Sequence, residues 1–371
     1  MAFDSRLEEI RTIQHQYRQL YQLLGGVILV ALGILIGGVL FTQDDGYLTN
    51  LYTEIMGIVL TVFVLNLLTK MREERRETAR LKADLVARLR SSVPHEARRA
   101  AEELHRRDWL RDSVLRGADL ERADLHGALL EDANLQGANL RNVDLSDAVL
   151  LRADLGEARL IDAVLQRTNL RYAVLENAQL QRVDFTRADL ENARFKGADL
   201  RHAGLQHADL RSAGMEGCEL LLANLENANL YKASLRGASL RRAILENANL
   251  QNVDLSGGRL NHANLRHIKG ANCDFSGASL VDVDLSGADL RDANLGETDL
   301  TNADLRGCRL IDANLRGATL TNTHFDETTI LPDASFWTPD TDLRRFTDPQ
   351  SKLFWLPEPN RQGRLPAWYV A

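Results

Sequence analysis

Few residues in this chain could act as nucleophiles, metal ligands or proton carriers, and their spacing argues against each use. Cys218, Cys273 and Cys308 share one phase of a five-residue pattern, a phase filled elsewhere mostly by alanine. Each therefore reads as a small core residue in its reduced form, not as a ligand. His202 with His207 recurs sixty residues later as His262 with His267, which at twenty residues per turn is a separation of about 14 Å. Metal–ligand bonds are about 2 Å, so these histidines are expected to be surface corner residues. Glu54 sits near the outer end of an apolar stretch, where an interfacial carboxylate is favoured over a proton or ion site. The many aspartates that precede leucines belong to a repeat, and neither a phosphate loop nor a nucleophile elbow is present. No catalytic residue, metal or cofactor is expected, and the chain reads as a non-enzyme.

The element that carries these residues runs from Leu115 to Ile330, where an apolar residue falls on every fifth position except Gly270. Most are leucine, with Phe185, Phe195, Phe275, Phe325, Met215 and Ile330 as the exceptions. Two positions earlier the residue is small, as at Ala118, Ala123 and Ala128, and Asp or Asn often stands just before the leucine, as at Asp119 and Asn134. A period of five fits neither a helix nor a strand, and a fixed repeat of this kind marks a solenoid. Leu120, Leu140, Leu225, Leu250, Leu290, Phe185, Phe195 and Phe275 are the predicted core. At Gly270 the partner two places earlier is the large Ile268, a swap of sizes that keeps core volume nearly constant.

Glycine supplies a second period. Two places after each central residue, one phase of a twenty-residue cycle reads Gly117, Gly137, Gly197, Gly217, Gly237, Gly257, Gly277 and Gly317, eight of its eleven sites. The phase ten residues later holds Gly127, Gly287 and Gly307, and the other two hold none. Glycine tolerates positive φ. The pattern predicts a four-sided coil of four pentapeptides in which two opposite corners use turns that need it.

These residues resemble the pentapeptide repeat family, whose motif is A-(D/N)-L-x-x, over roughly residues 113–330. The resemblance implies a right-handed quadrilateral β-helix with the central and small residues inward and the other three outward. The residues agree with it, since a tube only wide enough for stacked leucines needs a small second inward side chain. Coils paired like parallel strands at about 4.8 Å make eleven turns a rod about 50 Å long. No room remains inside for a ligand.

The first seventy residues are of another kind. Residues 23–41 are uncharged and mostly apolar, and 47–69 form a second apolar span broken only by Glu54. Each reaches about 30 Å as a helix, enough to cross a bilayer. A short acidic connection holds Asp44 and Asp45, while Arg6, Arg11 and Arg18 precede the pair and Lys70, Arg72, Arg75, Arg76 and Arg80 follow it. By the positive-inside rule both ends face the cytoplasm of a bacterial cell, with the hairpin in the inner membrane. A cleaved signal peptide fits less well, because the first run starts late and is followed by Phe-Thr-Gln-Asp instead of small residues. Gly33 and Gly37 make a face on which helices can pack, inside the hairpin or in a homodimer.

Residues 70–109 are expected to form a charged helical stalk and N-terminal cap, with Leu81, Leu85 and Leu89 as a narrow apolar stripe, Pro94 as a break and Trp109 as a capping residue. Its bases outnumber its acids, which adds anionic lipid headgroups as a candidate contact. Six of the seven prolines and three of the four tryptophans lie beyond Ile330. That tail resembles those that follow the last coil in bacterial family members. Phe336 and Trp337 are the candidates to cover an open tube end and an unpaired strand edge, and partner binding by the tail is the alternative. The expected organisation is residues 1–19, a cytoplasmic segment; 20–69, the transmembrane hairpin; 70–109, the stalk; 110–330, the β-helix; and 331–371, the cap or tail.

The function expected is a membrane-anchored scaffold or protein-interaction module, with an unidentified protein partner. One alternative is a DNA-mimicking modulator of a type II topoisomerase, as some soluble family members are. B-DNA carries about 30 charges over 50 Å, whereas arginines such as Arg116, Arg122, Arg141 and Arg152 are interspersed among the acids of this repeat. Direct nucleic-acid binding is not expected for a net acidic rod. A channel or channel-regulatory subunit is the other alternative, but no Thr-Val-Gly-Tyr-Gly filter motif is present.

Overall fold

The structure is a computed structural model that describes residue 33 and residues 46–91, 94–357 and 368. The first expected span, including Gly37, lies outside the described residues, apart from Gly33, which is helical. The chain divides into two compact units, residues 1–81 and 82–371.

Apart from Gly33, the described chain of the first unit is one helix. α1 (Gly46–Leu89) begins there and runs on into the second unit. No glycine or proline interrupts it after Gly57, and mostly strong helix formers fill residues 70–89, so the apolar stretch and the charged stretch after it form one continuous helix. The hydroxyls of Thr61, Thr69 and Thr78 donate to the carbonyls of Gly57, Leu65 and Glu74 at 2.7, 2.8 and 2.9 Å, so these polar side chains are satisfied on their own helix. Among the described residues, this is the one helix long and apolar enough, by length and composition, to cross a membrane.

The second unit is a β-helix closed at both ends. α2 (Pro94–Arg106) starts at the proline, whose fixed φ suits a first helical turn. Leu85, Leu89, Ala97, Ala101, Leu104 and Leu110 are buried and form the N-terminal plug beside Leu115. Leu85 and Leu89 are therefore covered within the chain. A 3₁₀ turn (Ser113–Leu115) leads into the first coil.

From Asp119 to His324 every bridge joins a residue to the one twenty positions later, all parallel. The expected strands do not form. Each side contributes a single bridge residue, because a turn at every fifth residue leaves no length for a longer ladder. The backbone bonding is nonetheless nearly complete. Leu120 N–H donates to Asn139 O at 2.8 Å, Arg122 N–H to Arg141 O at 2.9 Å, and Asn139 N–H to Ala118 O at 2.9 Å. The turn adds Ala123 N–H to Leu120 O at 3.1 Å.

The corners correct the glycine reading. Every corner residue from Gly117 to Asn322 has positive φ, on all four edges, including Arg122 at 59°, Tyr172 at 58° and Leu222 at 59°. All four corners thus carry the positive third residue of a type II turn. A left-handed residue other than glycine costs about 1 kcal/mol, and the coil-to-coil bond from its N–H offsets that. A Cβ on Gly117, Gly137, Gly217, Gly237, Gly257 or Gly277 would meet nothing within 4 Å, whereas at Gly197 it would approach Asn177 Oδ1 to 2.6 Å. Nothing in the structure explains why glycine gathers on one edge.

Inside, Leu120, Leu140, Leu225, Leu250, Leu290, Phe185, Phe195 and Phe275 are 0–1% exposed, and the Phe185 and Phe195 rings meet edge to face with centroids 6.1 Å apart. Ile268 is buried, and a Cβ on Gly270 would stand 3.4 Å from its Cδ1 and 3.0 Å from Leu290 Cδ2. The glycine therefore holds the space that the larger neighbour uses.

The register shifts at the end of the repeat. Arg309 bridges Ile330, an offset of twenty-one residues, and Ile330 is half-buried while Leu331 and Thr329 are fully buried. Leu331, not Ile330, is the last central residue. The added residue is Asp326, which moves the turn to residues 327–328, and its Oδ1 accepts from Gly307 N–H at 3.0 Å in place of a backbone carbonyl. Beyond it the tail closes the edge. Ile330, Pro332 and Thr347 carbonyls accept from the N–H groups of Leu310, Asp312 and Gly317 at 2.8, 2.9 and 2.7 Å. The last of these acceptors lies in the short helix α3 (Arg344–Thr347), whose Phe346 is buried against Trp355.

Leu225→Asp would leave an unpaired carboxylate in this tube, at a cost of several kcal/mol. Glu226→Lys, on the outside, should change stability by about 0.5 kcal/mol or less. Thermal denaturation of the two variants checks the assignment, which equal shifts would refute.

Candidate functional surface

Each repeat turns three side chains outward: the one before the central residue, and the two of the corner. The Asp or Asn before the central residue has a structural task. Four of the five N–H groups in a repeat are taken by neighbouring coils or the turn, and the fifth, just after the central residue, faces this carboxylate or amide. Gly156 N–H donates to Asp154 Oδ1, Ser256 N–H to Asp254 Oδ1 and Glu226 N–H to Asn224 Oδ1, all at 2.9 Å. These acids accept backbone bonds instead of forming catalytic pairs. The sequence pattern showed the preference but not its cause.

Corner side chains stack from coil to coil, and opposite charges pair at twenty-residue spacing. Arg152 Nε meets Asp132 at 2.8 Å, Arg167 meets Asp147 at 2.6 Å and Arg182 meets Asp162 at 2.6 Å. Asp132 also faces Arg111 at 2.9 Å. The hydrogen bond from Arg152, with that from Arg111 and against the cost of desolvation, holds the Asp132 carboxyl down at about 2. Exposed pairs of this kind contribute little individually.

The thiols are core groups. Cys218, Cys273 and Cys308 are buried, and each S–H donates to the carbonyl of a central residue in the preceding coil, Phe195, Leu250 and Leu285, at 3.0, 3.2 and 3.0 Å. Thr168 and Thr298 make the same bond with their hydroxyls at 2.8 and 3.1 Å. Burial pushes the thiols of Cys218 and Cys308 up to about 12 and that of Cys273 up as well. His202, His207, His262 and His267 all occupy positive-φ corners, and His262 lies 3.6 Å from Asp282. Among the described residues, no three His, Cys, Asp or Glu side chains are placed to hold a metal ion.

The capping candidates separate. Trp337 stacks on Phe325, centroids 6.1 Å apart and planes 16° from parallel. Phe336 is 61% exposed, so it does not cover the tube: its backbone bridges Ile330 and adjacent side chains of an extended segment face opposite ways. Trp109 is half-buried between Lys82 and Arg107, each 4.9 Å from its ring, while Leu110 and Leu104 fill the tube mouth. Glu54 lies on α1 with Gly57, Ile58, Thr61 and Val62 along a shallow groove of about 390 Å³.

The chain belongs to the pentapeptide repeat family: the family's repeat model matches in 8 copies, the first at residues 110–147 and the last ending at 326. The β-helix is accordingly the right-handed, four-sided solenoid of that family, members of which act as structural or interaction modules. Three solved structures are similar to it. HetL from the cyanobacterium Nostoc sp. strain PCC 7120, a pentapeptide repeat protein involved in heterocyst differentiation regulation, is 30% identical over 59% of this chain and 91% of its own, with a TM-score of 0.29. Rfr23 from the cyanobacterium Cyanothece 51142 is 34% identical over 30% of this chain and 63% of its own, with a TM-score of 0.23. QnrB1, a plasmid-mediated fluoroquinolone resistance protein, is 18% identical over 45% of this chain and 89% of its own, with a TM-score of 0.26. No curated protein matches the chain.

Two outcomes follow from this surface. Folding lowers the Asp132 pKa from 3.8 to about 2, so its contribution is present above roughly pH 4 and is lost as pH falls through about 2. Asp132→Asn should therefore be less stable than the parent at pH 7, with the difference shrinking as pH falls from about 4 through about 2, as read by denaturant unfolding. The thiols should resist maleimide in the folded chain at pH 7 and react fully once it is unfolded, which mass spectrometry reads directly.

Proposed function

We propose that this protein is a non-enzymatic, membrane-anchored interaction module that presents its β-helix on the cytoplasmic side of a bacterial inner membrane. The observation that carries this reading is the apolar surface of α1. Ile58 and Leu65 are 64% and 56% exposed, on a helix whose apolar stretch ends at a charged segment that begins with Lys70 and Arg72. In water such a surface would be a liability; in a bilayer it is the matching one. The groove at Gly57 and Thr61 offers a close-packing site for the other apolar span, residues 23–41, in an antiparallel hairpin. The homodimer keeps one support, the Gly33 and Gly37 pair, and loses another, because Leu85 and Leu89 are already covered within the chain. The partner of the β-helix is a protein surface that can lie along a side of stacked, alternating charges.

Topoisomerase modulation by DNA mimicry has less support. Arg152, Arg167 and Arg182 neutralise Asp132, Asp147 and Asp162 of the preceding coil, so in these coils the edges do not carry a duplex-like row of uncompensated charge.

Topology tests the proposal. With the three native cysteines changed to alanine, Asp45→Cys should react with a membrane-impermeant maleimide added to intact cells, and Gln350→Cys should react only after lysis. The opposite labelling would remove both the orientation and the cytoplasmic placement.

A further inference from the structure

The stretch of α1 just past the apolar span carries its charges on separate sides. At 100° per residue, Arg72, Arg75 and Arg76 fall within an arc of about 100°, and Glu73, Glu74 and Glu77 fall within a similar arc on the opposite side. All six side chains are exposed, and none of the six forms an ion pair with another described residue. This differs from the β-helix, where arginines such as Arg152 and Arg167 pair with acids of the preceding coil. It also differs from a solvated helix built for its own stability, where Glu and Arg alternate at four-residue spacing to pair. Here the four-residue partner of Arg72 is Arg76 and that of Glu73 is Glu77.

Resting on the membrane-anchored reading, we propose that Arg72, Arg75 and Arg76 form a binding surface for the headgroups of anionic phospholipids in the cytoplasmic leaflet. These residues lie three to seven positions beyond Thr69, about 4–10 Å along the helix axis, which is the depth of the headgroup region outside a hydrocarbon core of about 30 Å. Long arginine stems reach back toward that layer while the guanidinium stays polar. A guanidinium donates paired hydrogen bonds to phosphate oxygens, so three on one side can hold several phosphates at once. Lys70, at the edge of the span, falls on the acidic side of the helix and is not part of this surface. The acidic side turns away, which gives the helix a preferred rotation against a negatively charged surface.

The test uses the full chain in bilayers of phosphatidylcholine containing phosphatidylglycerol, with spin-labelled versions of each lipid read by electron paramagnetic resonance at low salt. The parent should hold the phosphatidylglycerol probe roughly threefold or more strongly than the phosphatidylcholine probe, with the preference falling as salt is raised. Arg72→Gln, Arg75→Gln and Arg76→Gln together should bring the ratio close to one, with the helix kept by glutamine's propensity. Glu73→Gln, Glu74→Gln and Glu77→Gln together should leave the preference or raise it. Equal association of both probes with the parent, or a preference that survives the arginine changes, would overturn the inference alone. A chain that restricts neither probe has not entered the bilayer, and that result would overturn the membrane anchor beneath it.

Discussion

The β-helix rests on one constraint: every five-residue side must place five backbone N–H groups. Two go to the next coil, one to the previous coil, one closes the turn, and the last has no backbone partner within reach. Where Asp or Asn stands before the central residue it supplies one, as Asp154, Asp254 and Asn224 show. The positive φ at each corner is the other half of the arrangement, since the corner N–H must point along the axis to reach the next coil. Once these bonds are placed, only two side chains per repeat can face inward. The tube they fill is wide enough for one large and one small residue, and Ile268 with Gly270 shows that their order can be exchanged.

The same bonding explains why the surface holds little chemistry. The Asp and Asn side chains before the central residues serve the backbone, many corner acids are paired with arginines one coil away, and the thiols and inward hydroxyls donate to buried carbonyls. What remains outward is a regular display of short side chains at fixed spacing. Among the described residues, no concave, water-excluding pocket gathers reactive groups on it. The exposed charges of Arg72, Glu73, Glu74, Arg75, Arg76 and Glu77 on α1 are the exception: none of them pairs with another described residue.

The core of the fold was legible in the sequence because the period of five is long and its lapses are few. Leu225 and Phe195 could be placed inward from position alone. The corners were not legible. Glycine marks a need for positive φ only where the cost cannot be offset, and here Arg122, Tyr172 and Leu222 adopt it on open edges with room for a side chain. The end of the repeat was ambiguous in principle, since Thr328 with Ile330 and Thr329 with Leu331 both read as a small and a large inward residue. The extra residue at Asp326 decides between them, and it follows from tertiary closure, not from pattern. Phe336 and Trp337 pose the same problem: two aromatics in a row, of which a bridged backbone can send only one toward the tube. The charges just past the apolar stretch of α1 were visible as a basic excess, but the separation of those at residues 72–77 to opposite sides needed the uninterrupted helix.

From Asp119 to His324 each coil bridges the next at the same offset, and the plugs bond to coils at the two ends, as through Leu110 with Asn134 and Thr347 with Gly317. A block of twenty residues could be added or removed between the ends without altering any contact that either plug makes. The length of this solid is then quantised in steps of about 4.8 Å, a fine ruler whose calibration is written in gene length and not in side-chain identity. Across related chains, changes in the number of coils would tune how far a docking side extends while leaving its chemistry and its closures untouched.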